Sequence, residues 1–107
     1  MGVHIQIVNF KLNGIDDAQY RQACDEEAAM FAEIPGLVSK VWLADQSTNT
    51  YGGVYTWRDR QAMEDFLDSE LFREFGADPH VKDLTSRGFG VLETPTQVTR
   101  GLAMSRA

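Results

Sequence analysis

Residues 35–57 narrow the folds open to this chain more than any other stretch. Two runs rich in β-branched and aromatic residues, Leu37 to Ala44 and Tyr51 to Trp57, flank the turn formers from Asp45 to Asn49. The pattern predicts a β-hairpin. Two strands are not stable alone in water, so the rest of the chain must supply more strands and covering helices.

It does so in a definite order. Val3 to Leu12 alternates loosely, with Val3, Ile5, Ile7 and Asn9 on one face and His4, Gln6, Val8 and Phe10 on the other, which predicts a first strand ending at Asn13-Gly14. Asp16 with Gln19 forms a capping pair for a helix running to about Glu33, packed by a stripe of Tyr20, Ala23, Cys24, Phe31 and Ile34. Pro35-Gly36 stops it and opens the hairpin. Gly52-Gly53 within the second hairpin strand signals a bulge, a bend or a close approach of other atoms to the backbone, a structural bend being the reading with the greater weight. Asp59 and Ser69 cap two short helices, one with Ala62, Met63, Phe66 and Leu67, the next with Leu71, Phe72 and Phe75. A last strand is expected from His80 or Val81 to Glu93, with Arg87, Phe89 and Val91 on one face and Gly88 and Gly90 on the other.

Strand, helix, strand, strand, helix, strand is the split βαβ order of a ferredoxin-like α+β domain with an antiparallel sheet. One such domain accounts for residues 1–95, and 96–107 is expected to form a tail that docks on a partner or frays. Helices cover one sheet face only. The other face still carries large apolar side chains, and the same face of a second copy is the simplest cover, so a homodimer is predicted.

Composition excludes several other classes. With 43% hydrophobic residues and a net charge of −6, the chain has the makings of one core and lacks the basic stripe of a nucleic-acid binder. No apolar run approaches the roughly 20 residues that span a bilayer, and the N-terminus lacks a signal-peptide pattern, so a cytoplasmic protein without a membrane partner is expected. Cys24 is the single cysteine, which rules out an intrachain disulfide and a cysteine-based metal site within one chain.

Pro35-Gly36-Leu37, Lys40-Val41-Trp42 and Gly52-Gly53-Val54-Tyr55, followed by Ser69 to Phe72, Val91-Leu92-Glu93 and Val98-Thr99-Arg100-Gly101, resemble the YdhR-type putative monooxygenases. These belong to the dimeric α+β barrel superfamily of antibiotic-biosynthesis monooxygenases. The resemblance implies a ferredoxin-like dimer with a pocket in each subunit between sheet and helices. It also implies oxidation of aromatic or polyketide-like molecules by dioxygen without a flavin, haem or metal. The superfamily includes isomerases, cyclases and haem-degrading enzymes as well, so fold analogy leaves the chemistry open. Haem degradation is not expected: Asn9 matches that branch, but Phe66 stands at the tryptophan position, Gly76 at the histidine position, and His80 falls four residues late.

Cofactor-free oxygenation needs an apolar slot, a base or hydrogen-bond partner that favours a substrate anion, and access for dioxygen. Trp42, Tyr55, Trp57, Phe66 and Phe89 are the candidate slot, with core packing the competing role for each. Asn9, Glu27 and His80 are the candidate catalytic groups. His80 is placed at a strand start, where an imidazole suits proton transfer near neutral pH, the competing reading, with the greater weight, being an exposed loop histidine. Glu27 falls in the apolar stripe of the first helix, where burial would poise its carboxyl group for acid or base work, unless it pairs with Lys40 or Arg87 or the helix rolls enough to solvate it. Lys40 and Arg87 are candidates for holding a substrate anion, the competing role being ion pairs with carboxylates such as Asp83 or Glu93. The rival to an enzyme is a dimer that only binds a small apolar ligand.

Overall fold

A computed structural model describes residues 2–102. The first strand, β1 (His4–Leu12), buries Gln6, Val8, Phe10 and Leu12, whereas Ile5, Ile7 and Asn9 on its other face remain partly exposed. Helix α1 (Asp17–Ala32) starts at the expected capping pair: Asp16 Oδ1 accepts from the Gln19 N–H at 2.8 Å, and Gln19 Oε1 accepts from the Asp16 N–H at 2.9 Å. Gly36 then turns the chain at φ +83°. A Cβ there would lie 2.4 Å from the Cβ of Ala62, so the turn requires glycine on two counts.

The hairpin forms as strands β2 (Leu37–Asp45) and β3 (Thr50–Trp57), joined by one 3-10 turn over Gln46–Thr48. Asn49, in the left-handed region, closes the turn and ties it to β1 by accepting from Leu12 N–H and donating to Leu12 C=O. Gly52 marks a close approach and not a bulge: its pairing with β1 is in register, and a Cβ there would come within 1.8 Å of the Val8 carbonyl oxygen. Helices α2 (Arg60–Leu67) and α3 (Glu70–Ala77) are capped by Asp59 and Ser69 as expected.

The fourth strand, β4 (Val81–Gly90), is shorter than the sequence suggests. Gly90 pairs with His4, the first residue of β1, so beyond it no neighbouring strand remains to extend the ladder. The chain turns instead into α4 (Glu93–Val98), which accepts Pro95 in its first turn, where a missing N–H is tolerated. The expected break at residues 95/96 therefore falls inside a helix. The tail's last residues, 103–107, lie outside the described region.

The sheet is antiparallel, in the order β2-β3-β1-β4, with α1, α2 and α3 on one face. That face holds the core, including Val8, Phe10, Tyr51, Trp57, Met63 and Phe66. Among the described residues nothing covers the opposite face. Across it run Val41, Val54, Ile7 and Arg87 in one row and Ser39, Thr56, Ile5 and Phe89 in the next. Among the described residues no helix is long and apolar enough to cross a membrane.

A candidate aromatic-walled active site

Helix α1 contributes no fully buried residue; Tyr20 and Phe31 are only half-buried against the sheet. Below it, closed by α2 and α3, lies a cavity of about 230 Å³. Its walls are mostly aromatic: Phe31 from α1, Trp42 and Tyr55 from the hairpin, Phe66 from α2 and Phe72 from α3. Phe31 meets Trp42 edge-on, with ring centres 5.2 Å apart, and Tyr55 lies parallel to Trp57 at 5.8 Å. Two surface recesses of about 400 and 410 Å³ lack this convergence of rings.

Trp57 itself is fully buried behind Tyr55, so it belongs to the core and not to the slot. A polar chain that runs from the core to exposed Ser86 fixes it: its Nε1–H donates to Gln6 Oε1 at 2.9 Å, and Gln6 Nε2 donates to Ser86 Oγ at 2.9 Å. The network leaves no buried polar atom of Gln6 unmet, which is what allows an amide in the core.

Lys40 is the unusual group. Its Nζ stands 3.3 Å from the centre of a Trp42 ring, 3.7 Å from that of Phe31 and 4.7 Å from that of Tyr55. Among the described residues no carboxylate lies within ion-pairing distance of it. Burial lowers its pKa to about 8, against smaller opposing influences from Cys24 and Glu27. Gly53 makes the arrangement possible, because a Cβ there would sit 2.9 Å from Lys40 Cε and 3.3 Å from Tyr55 Cε1. Burial also pushes the phenols of Tyr20 and Tyr55 well above the usual tyrosine range, Tyr20 being raised further by its hydrogen bond with Cys24, whose thiol burial raises in turn.

The expected site residues divide sharply. Trp42, Tyr55, Phe66, Lys40 and Glu27 come together around the cavity. Asn9, Arg87 and Phe89 do not, because the strand alternation places them on the uncovered sheet face; Phe89 is 42% exposed there and Arg87 stands over its ring. His80 is exposed in the α3–β4 connection, with Nδ1 2.9 Å from the Asn13 carbonyl oxygen. Glu27 reaches the rim only and is exposed, since α1 stands too far from the sheet to bury its stripe. Neither Lys40 nor Arg87 takes the expected carboxylate partner: Glu93 accepts from the Val3 N–H, and Asp83 sits at φ +56°. Asn9, Phe66 and His80 thus do not converge on a haem site. Phe31 and Phe72, which complete the walls, were legible only as apolar positions on helices.

A family model described as "Putative mono-oxygenase ydhR" matches residues 5–102. The chain belongs to the YdhR family. No protein of curated function matches the sequence. Among solved structures, SnoaB, a cofactor-independent oxygenase from Streptomyces nogalater, is similar at 22% identity with a TM-score of 0.68, covering 88% of this chain and 97% of its own. A putative antibiotic biosynthesis monooxygenase from Deinococcus radiodurans is similar at 19% identity and a TM-score of 0.69, with coverage of 85% and 94%. A dimeric ferredoxin-like protein from Thermobifida fusca is similar at 19% identity and a TM-score of 0.64, covering 85% and 93%. At such identities the likeness establishes the ferredoxin-like fold shared by these proteins and this YdhR-family chain.

Proposed function

We propose that this YdhR-family protein is a cofactor-independent monooxygenase that oxidises a hydrophobic aromatic or polyketide-like molecule with dioxygen. The observation that carries the reading is the cavity, whose ring faces suit a flat substrate and which contains a cation that no carboxylate among the described residues pairs with. Trp42, Tyr55 and Phe66 hold the substrate plane, Trp57 braces Tyr55 from behind, and Glu27 stands at the entrance. In such a reaction an activated ring methylene becomes a carbonyl, or a hydroquinone ring C–H becomes C–OH as the ring passes to the quinone; in both cases the second oxygen atom leaves as water and the substrate supplies all four electrons. Family membership and the fold shared with SnoaB support this assignment.

The active unit on this reading is a homodimer formed through the uncovered sheet face. A ligand-binding role without turnover is the second reading, favoured by the absence of Asn9 and His80 from the cavity. Oxygen uptake with a panel of anthrones and hydroquinones separates the two. Saturable uptake that Trp42→Ala abolishes is expected; uptake no faster than the uncatalysed background across the panel refutes the monooxygenase.

A further inference from the structure

We propose that Lys40 receives the acidic hydroxyl of the substrate, so that the cavity selects phenols and enols and holds them as oxyanions paired with Nζ. This rests on the reading of the cavity as the substrate site. At about 230 Å³ the cavity exceeds the roughly 150 Å³ that holds a benzene molecule, which leaves room for a substituted or fused ring system.

Three ring faces surround the Lys40 ammonium but supply no counter-ion, and no carboxylate among the described residues does so either. An entering oxyanion would complete the pair. Gly53 leaves room for the lysine stem beside the Tyr55 ring, which keeps Nζ at the cavity wall. The other ionisable groups around it do not compete. Tyr20 and Cys24 on α1 and Tyr55 on β3 are kept protonated and neutral by burial. Glu27 on α1 and Glu74 on α3 are exposed and Asp78 is half-buried, so water screens their repulsion of an anion, whereas the contact with Nζ is made where water is scarce.

The proton balance is simple. The substrate O–H bond breaks; the proton passes to the Lys40 amine where that is neutral, or to water where it is already an ammonium. Either way the product is an ammonium–oxyanion pair and no electron moves. Because burial brings the Lys40 pKa to about 8, both forms of the side chain are present near neutral pH.

4-Nitrophenol, whose anion is coloured and whose neutral form is not, tests this directly, with 4-nitroanisole as the control that lacks the proton. Both are titrated into the full chain one pH unit below the solution pKa of the phenol. The expected result is a growing phenolate band on binding and at least tenfold tighter binding of nitrophenol than of nitroanisole. Lys40→Met should lose both features while still binding nitroanisole. In the wild-type protein, NMR of the Lys40 side chain should show its titration moving upward when nitrophenol is bound, a readout that needs no variant. Equal affinity for the two probes, or a Lys40 titration that nitrophenol leaves in place, overturns the inference while the cavity remains a binding site. Ionised binding without oxygen uptake from any member of the anthrone and hydroquinone panel supports the role of Lys40 and removes the monooxygenase reading instead.

Discussion

Replacing Lys40 with Met is expected to stabilise the protein at neutral pH, and the gain should vanish in a definite pH window. Burial takes the Lys40 pKa from 10.5 to about 8, and each unit corresponds to about 1.4 kcal/mol, so folding with the group protonated costs about 3 kcal/mol. The faces of Trp42, Phe31 and Tyr55 return part of this, about 0.5–2 kcal/mol. The net gain from Lys40→Met, which keeps most of the stem's volume, is therefore about 1–3 kcal/mol at pH 7. Below pH 8 both folded and unfolded chains carry the proton and the penalty is constant. Between about 8 and 10.5 the unfolded chain binds more protons than the folded one, so wild-type stability rises with pH relative to the variant. Tyr20 and Tyr55, held protonated by burial, act in the opposite sense above the usual tyrosine range, but they are common to both proteins and cancel in the difference. Urea denaturation of both proteins at pH 7, 8, 9 and 10 gives that difference. Parallel curves, or a variant less stable than wild type at pH 7, would refute the picture of a charge held at the expense of stability.

Gly53→Ala places a methyl group 2.9 Å from Lys40 Cε and should displace the ammonium; the expected outcome is a several-fold loss of nitrophenol ionisation with little change in nitroanisole binding. Gln6→Met leaves the indole N–H of buried Trp57 without its acceptor and should cost about 1–3 kcal/mol in urea denaturation, with no relief from changes in pH. Val54→Asp puts a carboxylate at the centre of the uncovered sheet face, between Val41 and Ile7. On the proposed dimer, light scattering should report two copies for the wild type and one for the variant; a wild-type monomer, or a dimer that survives the change, would count against this face as the interface.

The order of elements was readable because each boundary carries its own chemistry. Asp16, Asp59 and Ser69 cap the helices that the sequence assigns to them, and Gly36 stands where the turn needs both positive φ and no side chain. The end of β4 was not readable, because Val91 and Leu92 have strand character and only the length of the neighbouring β1 decides where pairing stops. The helix stripe also misled. Tyr20, Cys24 and Phe31 mark the side of α1 that faces the sheet, but no local signal reveals that the helix stands off and leaves Glu27 exposed at a cavity rim.

The deeper gap concerns the sign of each strand, since alternation separates two faces without saying which one meets the helices. In β2 hydrophobicity alone points the wrong way: Val41 and Leu43 turn outward while Lys40 and Trp42 turn toward the helices. The inward lysine is tolerable only because three rings solvate its charge and Gly53 clears its path, conditions set by α1 and β3 and invisible in β2 itself. The outward valine is equally informative. Val41, 46% exposed, continues a row through Val54 and Ile7 that a solitary sheet would expose to water, so the rule that fails for β2 as a one-sided strand holds for a strand with cover on both faces. The two proposals made above would account for both departures together: a polar group turned inward because it pairs with a ligand, and apolar groups turned outward because a second copy of the chain covers them.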